Sequence, residues 1–96
     1  MSPSHNKLLV PHDIAERIRT LHPHIKKKVK ASLKIFLSDP LSGKALKDEL
    51  AGLRSFRVSK FRIIYRMSTK KKIEIVAIGP RERIYEETFR LLNKVR

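Results

Sequence analysis

The sequence predicts a small α+β domain, two N-terminal helices packed on one face of an antiparallel sheet, in the order β-α-α-β-β-β-α. Three observations carry that expectation. Ninety-six residues are enough for one hydrophobic core and too few for two, so residues 1–96 are read as a single domain. Between Pro11 and Pro40 the apolar residues recur at helical steps, and from Phe56 to Ile78 the period drops to two across short turns. Consecutive short turns favour a meander, and two amphipathic helices need one sheet face to bury their stripes. The other face is expected to be free for binding.

The elements follow in order. Lys7 to Val10 is a short strand ended by Pro11, and Asp13 is the expected N-cap of a helix carrying Ile14, Ile18 and Leu21 on one face. Leu21, His22 and Pro23 break that helix. From His24 to Ser38, Ile25, Val29, Leu33, Phe36 and Leu37 fall at steps of four, four, three and one, a stripe that predicts a helix of about four turns ended by Asp39 and Pro40. Leu41 to Leu53, with Gly43 and Gly52, is read as a loop with at most one helical turn. Phe56 and Val58 then face one way and Arg57 the other, and Ser59 and Lys60 make a tight turn. Phe61, Ile63, Tyr65 and Met67 oppose Arg62, Ile64 and Arg66 on the next strand. Ser68, Thr69, Lys70 and Lys71 form a second turn. Ile73 to Ile78 is apolar on both faces and therefore central, with Ile73, Ile75 and Ala77 on one side and Val76 and Ile78 on the other. After Pro80 a last helix carries Tyr85, Phe89, Leu92 and Val95 at helical spacing.

Composition narrows the partner. Lys and Arg number 23 against 9 Asp and Glu, a net charge of +14 that creates a strong field for polyanions, so nucleic acid or an acidic protein is the expected ligand class. With no cysteine, disulfides, thiolate metal sites and cysteine nucleophiles are excluded. His5, His12, His22 and His24 have no recognised metal-ligand spacing and are read as solvated loop residues, with no metal or cofactor expected. The start MSPSHNKLLVPHD lacks the charged and apolar regions of a signal peptide, and no window approaches a membrane span. A soluble cytoplasmic protein with no membrane partner is the expectation.

Candidate binding residues concentrate between Phe56 and Thr88, where Arg57, Lys60, Arg62, Arg81, Arg83 and Tyr85 recur at strand ends and turns, a composition suited to gripping a phosphodiester. A second cationic group, Lys26, Lys27, Lys30 and Lys34, runs along the second helix opposite its apolar stripe. It reads either as a plain solvated face or as a sequence-independent contact to a nucleic-acid backbone.

In Leu50, Gly52, Leu53, Arg57, Arg62, Ile64 and Tyr65, and then Ile78, Gly79, Arg81 and Tyr85, the chain resembles toxins of the bacterial and archaeal RelE/ParE superfamily. The likeness covers nearly the whole chain in element order. It implies the toxin of a type II toxin-antitoxin system, bound by a cognate antitoxin and meeting operator DNA only through that antitoxin. The RelE branch, as the resemblance implies, enters the ribosomal A site and cuts messenger RNA there without a metal. The ParE branch poisons DNA gyrase on the same fold, and a non-enzymatic RNA- or ribosome-binding relative is a third reading.

Cutting RNA through its own 2′-hydroxyl requires a proton acceptor, charge stabilisation of the pentacovalent phosphate and protonation of the 5′-oxygen. In this chain those roles fall to basic side chains and a tyrosine. Such groups act as acids and bases near neutrality when crowding of like charges shifts them. By the resemblance, Arg81 stabilises the phosphate, with guanidinium matching two oxygens at once, and is a candidate proton donor to the leaving oxygen; the other reading of it is a surface charge beside a turn. Arg62 stabilises the scissile phosphate or pairs with Glu74 across the hairpin. Tyr85 stacks on a base or assists proton transfer, or else packs the terminal helix, and a tyrosine does both when its ring is buried and its hydroxyl free. Where RelE proper carries two strand lysines, this chain reads Arg57, Val58, Ser59 and Lys60. Arg57 replaces the first as a cation but not as a proton acceptor, and Lys60 covers the second if the turn differs by one residue.

Overall fold

Two prolines start the helical arm of the molecule. A computed structural model describes residues 7–68 and 71–94. After β1 (Lys7–Leu9), Pro11 takes the cap position of α1 (His12–Arg19), and Pro23 opens α2 (Pro23–Ser38), where its missing N–H costs nothing. Asp13 is therefore not the cap expected from the sequence. It lies inside the first turn, where a carboxylate complements the helix dipole, and no side chain caps α1. Leu21 lies past the Thr20 cap yet still packs on the core. His22 is a capping residue: its Nδ1 accepts from the His24 N–H at 3.2 Å, and the two rings stack at 5.4 Å. His5, Thr69, Lys70 and Val95 lie outside the described residues.

The segment expected as a loop holds more structure than its glycines suggest. It contains 3-10 turns at Pro40–Ser42 and Asp48–Leu50 and a two-residue strand, β2 (Lys44–Ala45). β3 (Arg54–Val58), β4 (Phe61–Met67), β5 (Lys72–Pro80) and α3 (Ile84–Lys94) complete the chain. The sheet therefore has five strands, in the order β1-β5-β4-β3-β2. Neighbours are antiparallel except at one edge, where β1 runs parallel to β5.

α1 and α2 cover one face as predicted, over Ile14, Val29, Phe36, Val58, Ile63, Tyr65, Ile73, Ile75 and Ile78. The other face is not left open. α3 closes part of it over Leu53, Ile64, Ala77 and Ile84. The expected alternation in β5 fails at one point, because Ile64 pairs with Ala77 while Tyr65 pairs with Ile75, which leaves Val76 as an extra residue. Ile78 accordingly joins Ile73 and Ile75, and Ala77 joins the α3 side. The face of α3 is also rotated from the expected one: Ile84 and Thr88 are fully buried, Tyr85 and Leu92 pack on the cluster, and Phe89 is 43% exposed.

Tyr65 ties α2 to the β2 connection. Its ring stacks on Phe36 at 4.2 Å, its hydroxyl donates to the Pro40 carbonyl at 2.7 Å, and the Gly43 N–H donates to that hydroxyl at 3.0 Å. Gly43 must be glycine here, since a Cβ would stand 2.5 Å from the phenol oxygen. Burial pushes the Tyr65 phenol above its ordinary value of 10.0, although the Gly43 N–H opposes the shift. The chain has two tyrosines, so Tyr85→Phe isolates this one. Its absorbance step in a spectrophotometric titration is expected above pH 10.0, and a step at or below that value would contradict the burial argument. The folded state keeps a proton that the unfolded chain releases. The Tyr65 contribution to stability is therefore intact below pH 10.0 and is lost as pH rises beyond it.

Candidate functional site

The β3–β4 hairpin sets the spacing of the cations. Ser59 takes a left-handed φ of 58° in the turn, and the register that follows puts Arg57 directly opposite Arg62. On its other side Arg62 faces Gly79 of β5. Side chains alternate along a strand, so Ser55, Arg57, Arg62 and Ile64 share the face that α3 covers. Gly79 is buried, and a Cβ on it would lie 3.1 Å from Ile84 Cδ1. The missing side chain lets the start of α3 come down beside Arg62.

Arg62 is half-buried and held on two sides. Its Nη1 donates to Ser55 Oγ at 3.1 Å, and its guanidinium carbon lies 5.9 Å from the centroid of the Tyr85 ring, within cation–π range. The Tyr85 hydroxyl lies within hydrogen-bond distance of the same Ser55 Oγ, at 3.2 Å. Arg62 Nε is buried without an acceptor among the described residues. The packing reading of Tyr85 holds, with its ring on the Leu53–Ile64–Ala77–Ile84 cluster, while its hydroxyl reaches Ser55. The Arg62–Glu74 pair does not form: Glu74 takes Arg66 Nε at 3.0 Å, because Arg66 is its register partner and Arg62 is not.

Arg81 and Arg83 are exposed on the turn between β5 and α3. The Arg81 N–H donates to the Lys60 carbonyl at 2.9 Å, which locks this turn against the β3–β4 turn. Lys60 is therefore a turn residue beside Arg81. Arg57 is exposed, and its Nε reaches the Ser59 carbonyl at 3.5 Å. The side chains of Lys60, Arg81 and Arg83 make no hydrogen bond or ion pair among the described residues. Arg57, Lys60, Arg62 and Arg81 thus gather at one end of the sheet with Tyr85, and Arg83 follows in the same turn.

Lys26, Lys27, Lys30 and Lys34 do not join them. They stand on α2, which packs on the opposite face of the sheet, with Lys26 half-buried and the others exposed. Sequence reading missed Ser55, the residue both Arg62 and Tyr85 reach. Its period-two relation to Arg57 was the available signal, since it places the serine on the arginine face.

The geometry has counterparts. A family model described as the ParE toxin of the type II toxin-antitoxin system, parDE, matches residues 11–85. Among solved structures, a chain of the RelBE2 toxin-antitoxin complex from Mycobacterium tuberculosis is 28% identical, with a TM-score of 0.69, over 79% of this chain and 98% of that one. The archaeal RelE–RelB complex from Pyrococcus horikoshii gives 20% identity and a TM-score of 0.68, over 81% of this chain and 97% of that one. The isolated E. coli RelE toxin gives 18% identity and a TM-score of 0.71, over 92% and 99%. The last two likenesses are of fold alone. No curated protein sequence matches.

Proposed function

The chain belongs to the family of ParE toxins of type II toxin-antitoxin systems, within the RelE/ParE superfamily, and from that membership we propose that it is a ribosome-dependent messenger RNA endonuclease. One observation carries the choice: Arg62 is seated over Tyr85 and pinned by Ser55 at the end of the sheet where Arg57, Lys60 and Arg81 converge. A protein-binding poison has no need of a half-buried guanidinium with an unmet donor. A phosphate that approaches this end of the sheet meets the exposed Arg57, Lys60 and Arg81 beside a guanidinium already held in place.

In the proposed reaction the 2′-hydroxyl of the A-site nucleotide gives up its proton and attacks its own 3′-phosphate, forming a 2′,3′-cyclic phosphate as the bond to the next nucleotide's 5′-oxygen breaks and that oxygen leaves with a proton from the Tyr85 hydroxyl. Arg62 and Arg81 neutralise the charge that grows on the non-bridging oxygens. Tyr85 hydrogen-bonds the reacting nucleotide. Lys60 serves as proton acceptor only as the neutral amine, after losing its own proton, whereas the guanidinium of Arg57 does not deprotonate and serves as a fixed charge. The lysines of α2, across the sheet, contact ribosomal RNA backbone without reading sequence. The net charge of +14 steers that encounter.

The proposed inhibitor is a cognate antitoxin, as in the complexes of the similar proteins, with an acidic segment that folds on this basic surface. A segment that displaced α3 would carry Tyr85 away from Arg62 and dismantle the site.

The matched ParE model favours a second reading, a gyrase poison. Primer extension on a ribosome programmed with a defined messenger separates the two. A new cut within the A-site codon is expected on adding the purified protein. Uncut messenger together with gyrase-linked DNA breaks would replace the nuclease reading with the second one.

A further inference from the structure

We propose that Ser55 is the positioning residue of this site, fixing where the Arg62 guanidinium lies and which way the Tyr85 hydroxyl proton points. The inference rests on the nuclease reading above and extends it to a residue that touches no substrate.

Ser55 is the second residue of β3, 2% exposed and paired with Ile64. A hydroxyl sealed from water in such a position is unfavourable unless its bonds are made, and a β-branched apolar residue suits the strand better. Among the described residues its partners are Arg62 Nη1 at 3.1 Å and the Tyr85 hydroxyl at 3.2 Å. No other hydrogen bond holds the Arg62 guanidinium. Without Ser55 the arginine keeps its place over the tyrosine ring but loses the bond that sets its rotation.

The donor inventory then fixes the direction of the second bond. A serine hydroxyl has one hydrogen and two acceptor lobes, and guanidinium only donates, so the Arg62 bond consumes one acceptor lobe. If Tyr85 donates as well, both acceptor lobes are filled and the Ser55 hydrogen is left without an acceptor in a site closed to water. Rotating the two hydroxyl hydrogens reverses the bond at no change in heavy-atom position. The chain then runs from Arg62 to Ser55 to Tyr85, with the Ser55 hydroxyl both accepting and donating and each bond polarising the next. The phenol hydrogen is released from the protein and available to a substrate oxygen. One small side chain thereby aligns both functional groups.

The test uses the full chain and programmed ribosomes under single-turnover conditions, with Ser55→Ala, Tyr85→Phe and the double variant. Ser55→Ala is expected to slow cleavage by about tenfold to a hundredfold at saturating protein, as small misplacements of catalytic groups do, with ribosome affinity unchanged. The double variant is expected to be slower than Tyr85→Phe by less than the factor that Ser55→Ala costs alone, because Ser55 acts partly through that hydroxyl and partly through Arg62. Wild-type cleavage by Ser55→Ala would overturn the proposal, as would losses that multiply in the double variant. Failure of the unmodified protein to cut would instead overturn the nuclease reading. The positioning is then read from side-chain NMR of Arg62: guanidinium signals resolved by restricted rotation in the unmodified protein and averaged in Ser55→Ala are expected, and identical spectra would overturn it.

Discussion

Replacing both Arg62 and Arg81 with alanine is expected to abolish growth arrest and slow A-site cleavage by at least about a hundredfold, the effect of removing preorganised donors from a charged transition state. The two arginines reach the same region from different elements. Arg62 rises near the start of β4 with its guanidinium fixed, whereas Arg81 stands exposed on a turn fixed through its backbone bond to Lys60. Arg62 is therefore expected to contribute the larger share, because a held guanidinium spends less of its interaction on ordering itself. The fold should survive. Arg81 has no side-chain partner to lose, and Arg62→Ala removes a charge whose buried Nε had no acceptor. Amide spectra and thermal midpoints that match the unmodified protein check this. Arg62→Lys should rescue little, since an ammonium offers no bidentate face. Undiminished toxicity in a folded double variant would defeat the site assignment.

How much of this was legible in the sequence differs by element. Helical stripes placed α1 and α2 on one face, because Ile14, Val29 and Phe36 recur at a period no strand shares. Alternation in β4 gave the correct sides for Arg62, Ile63, Ile64 and Tyr65, because charged and apolar residues there take turns. β5 defeated the same rule. Nearly every residue from Ile73 to Ile78 is apolar, so the extra residue at Val76 changes which side each faces without changing the pattern. β2 was hidden for another reason: its two residues hold their place through pairing with Arg54 and Ser55, a long-range contact that leaves no local period. At the site, the cations were visible because they are chemically conspicuous. Ser55 was not, since its period-two relation to Arg57 gives only its face, and its partners on β4 and α3 are not known from the sequence.

The position of α3 had a similar cause. Ile84 and Thr88 are its buried pair, one turn apart, and Thr88 satisfies its hydroxyl on the Ile84 carbonyl at 2.7 Å. A threonine at a core position is invisible to a hydrophobic stripe, so the reading moved to Tyr85 and Phe89. The shift matters to the chemistry, because the observed face is the one that turns Tyr85 toward Arg62.

The largest loss of stability is expected at Phe36. It is fully buried, stacked on Tyr65 at 4.2 Å and tilted against Phe56 at 5.4 Å, so it fills the gap between α2 and the centre of the sheet. Phe36→Ala is expected to cost about 3–5 kcal/mol through lost burial and the cavity left behind. Against a total near 5–15 kcal/mol for a typical domain, that is a third or more of the reserve. Urea unfolding should show the midpoint falling with the slope preserved. Tyr65→Phe provides the comparison, because it keeps the stacked ring and removes only the hydroxyl. It leaves the Pro40 carbonyl and the Gly43 N–H without their partner, and each unmet group costs about 1–3 kcal/mol when water cannot replace it. If water reaches the Pro40–Gly43 turn after the change, Tyr65→Phe stays well below Phe36→Ala. Equal losses would mean instead that the hydroxyl clamp, rather than ring packing, joins α2 to the β2 edge. The two changes should also be non-additive, since truncating Phe36 frees the ring that aims the hydroxyl.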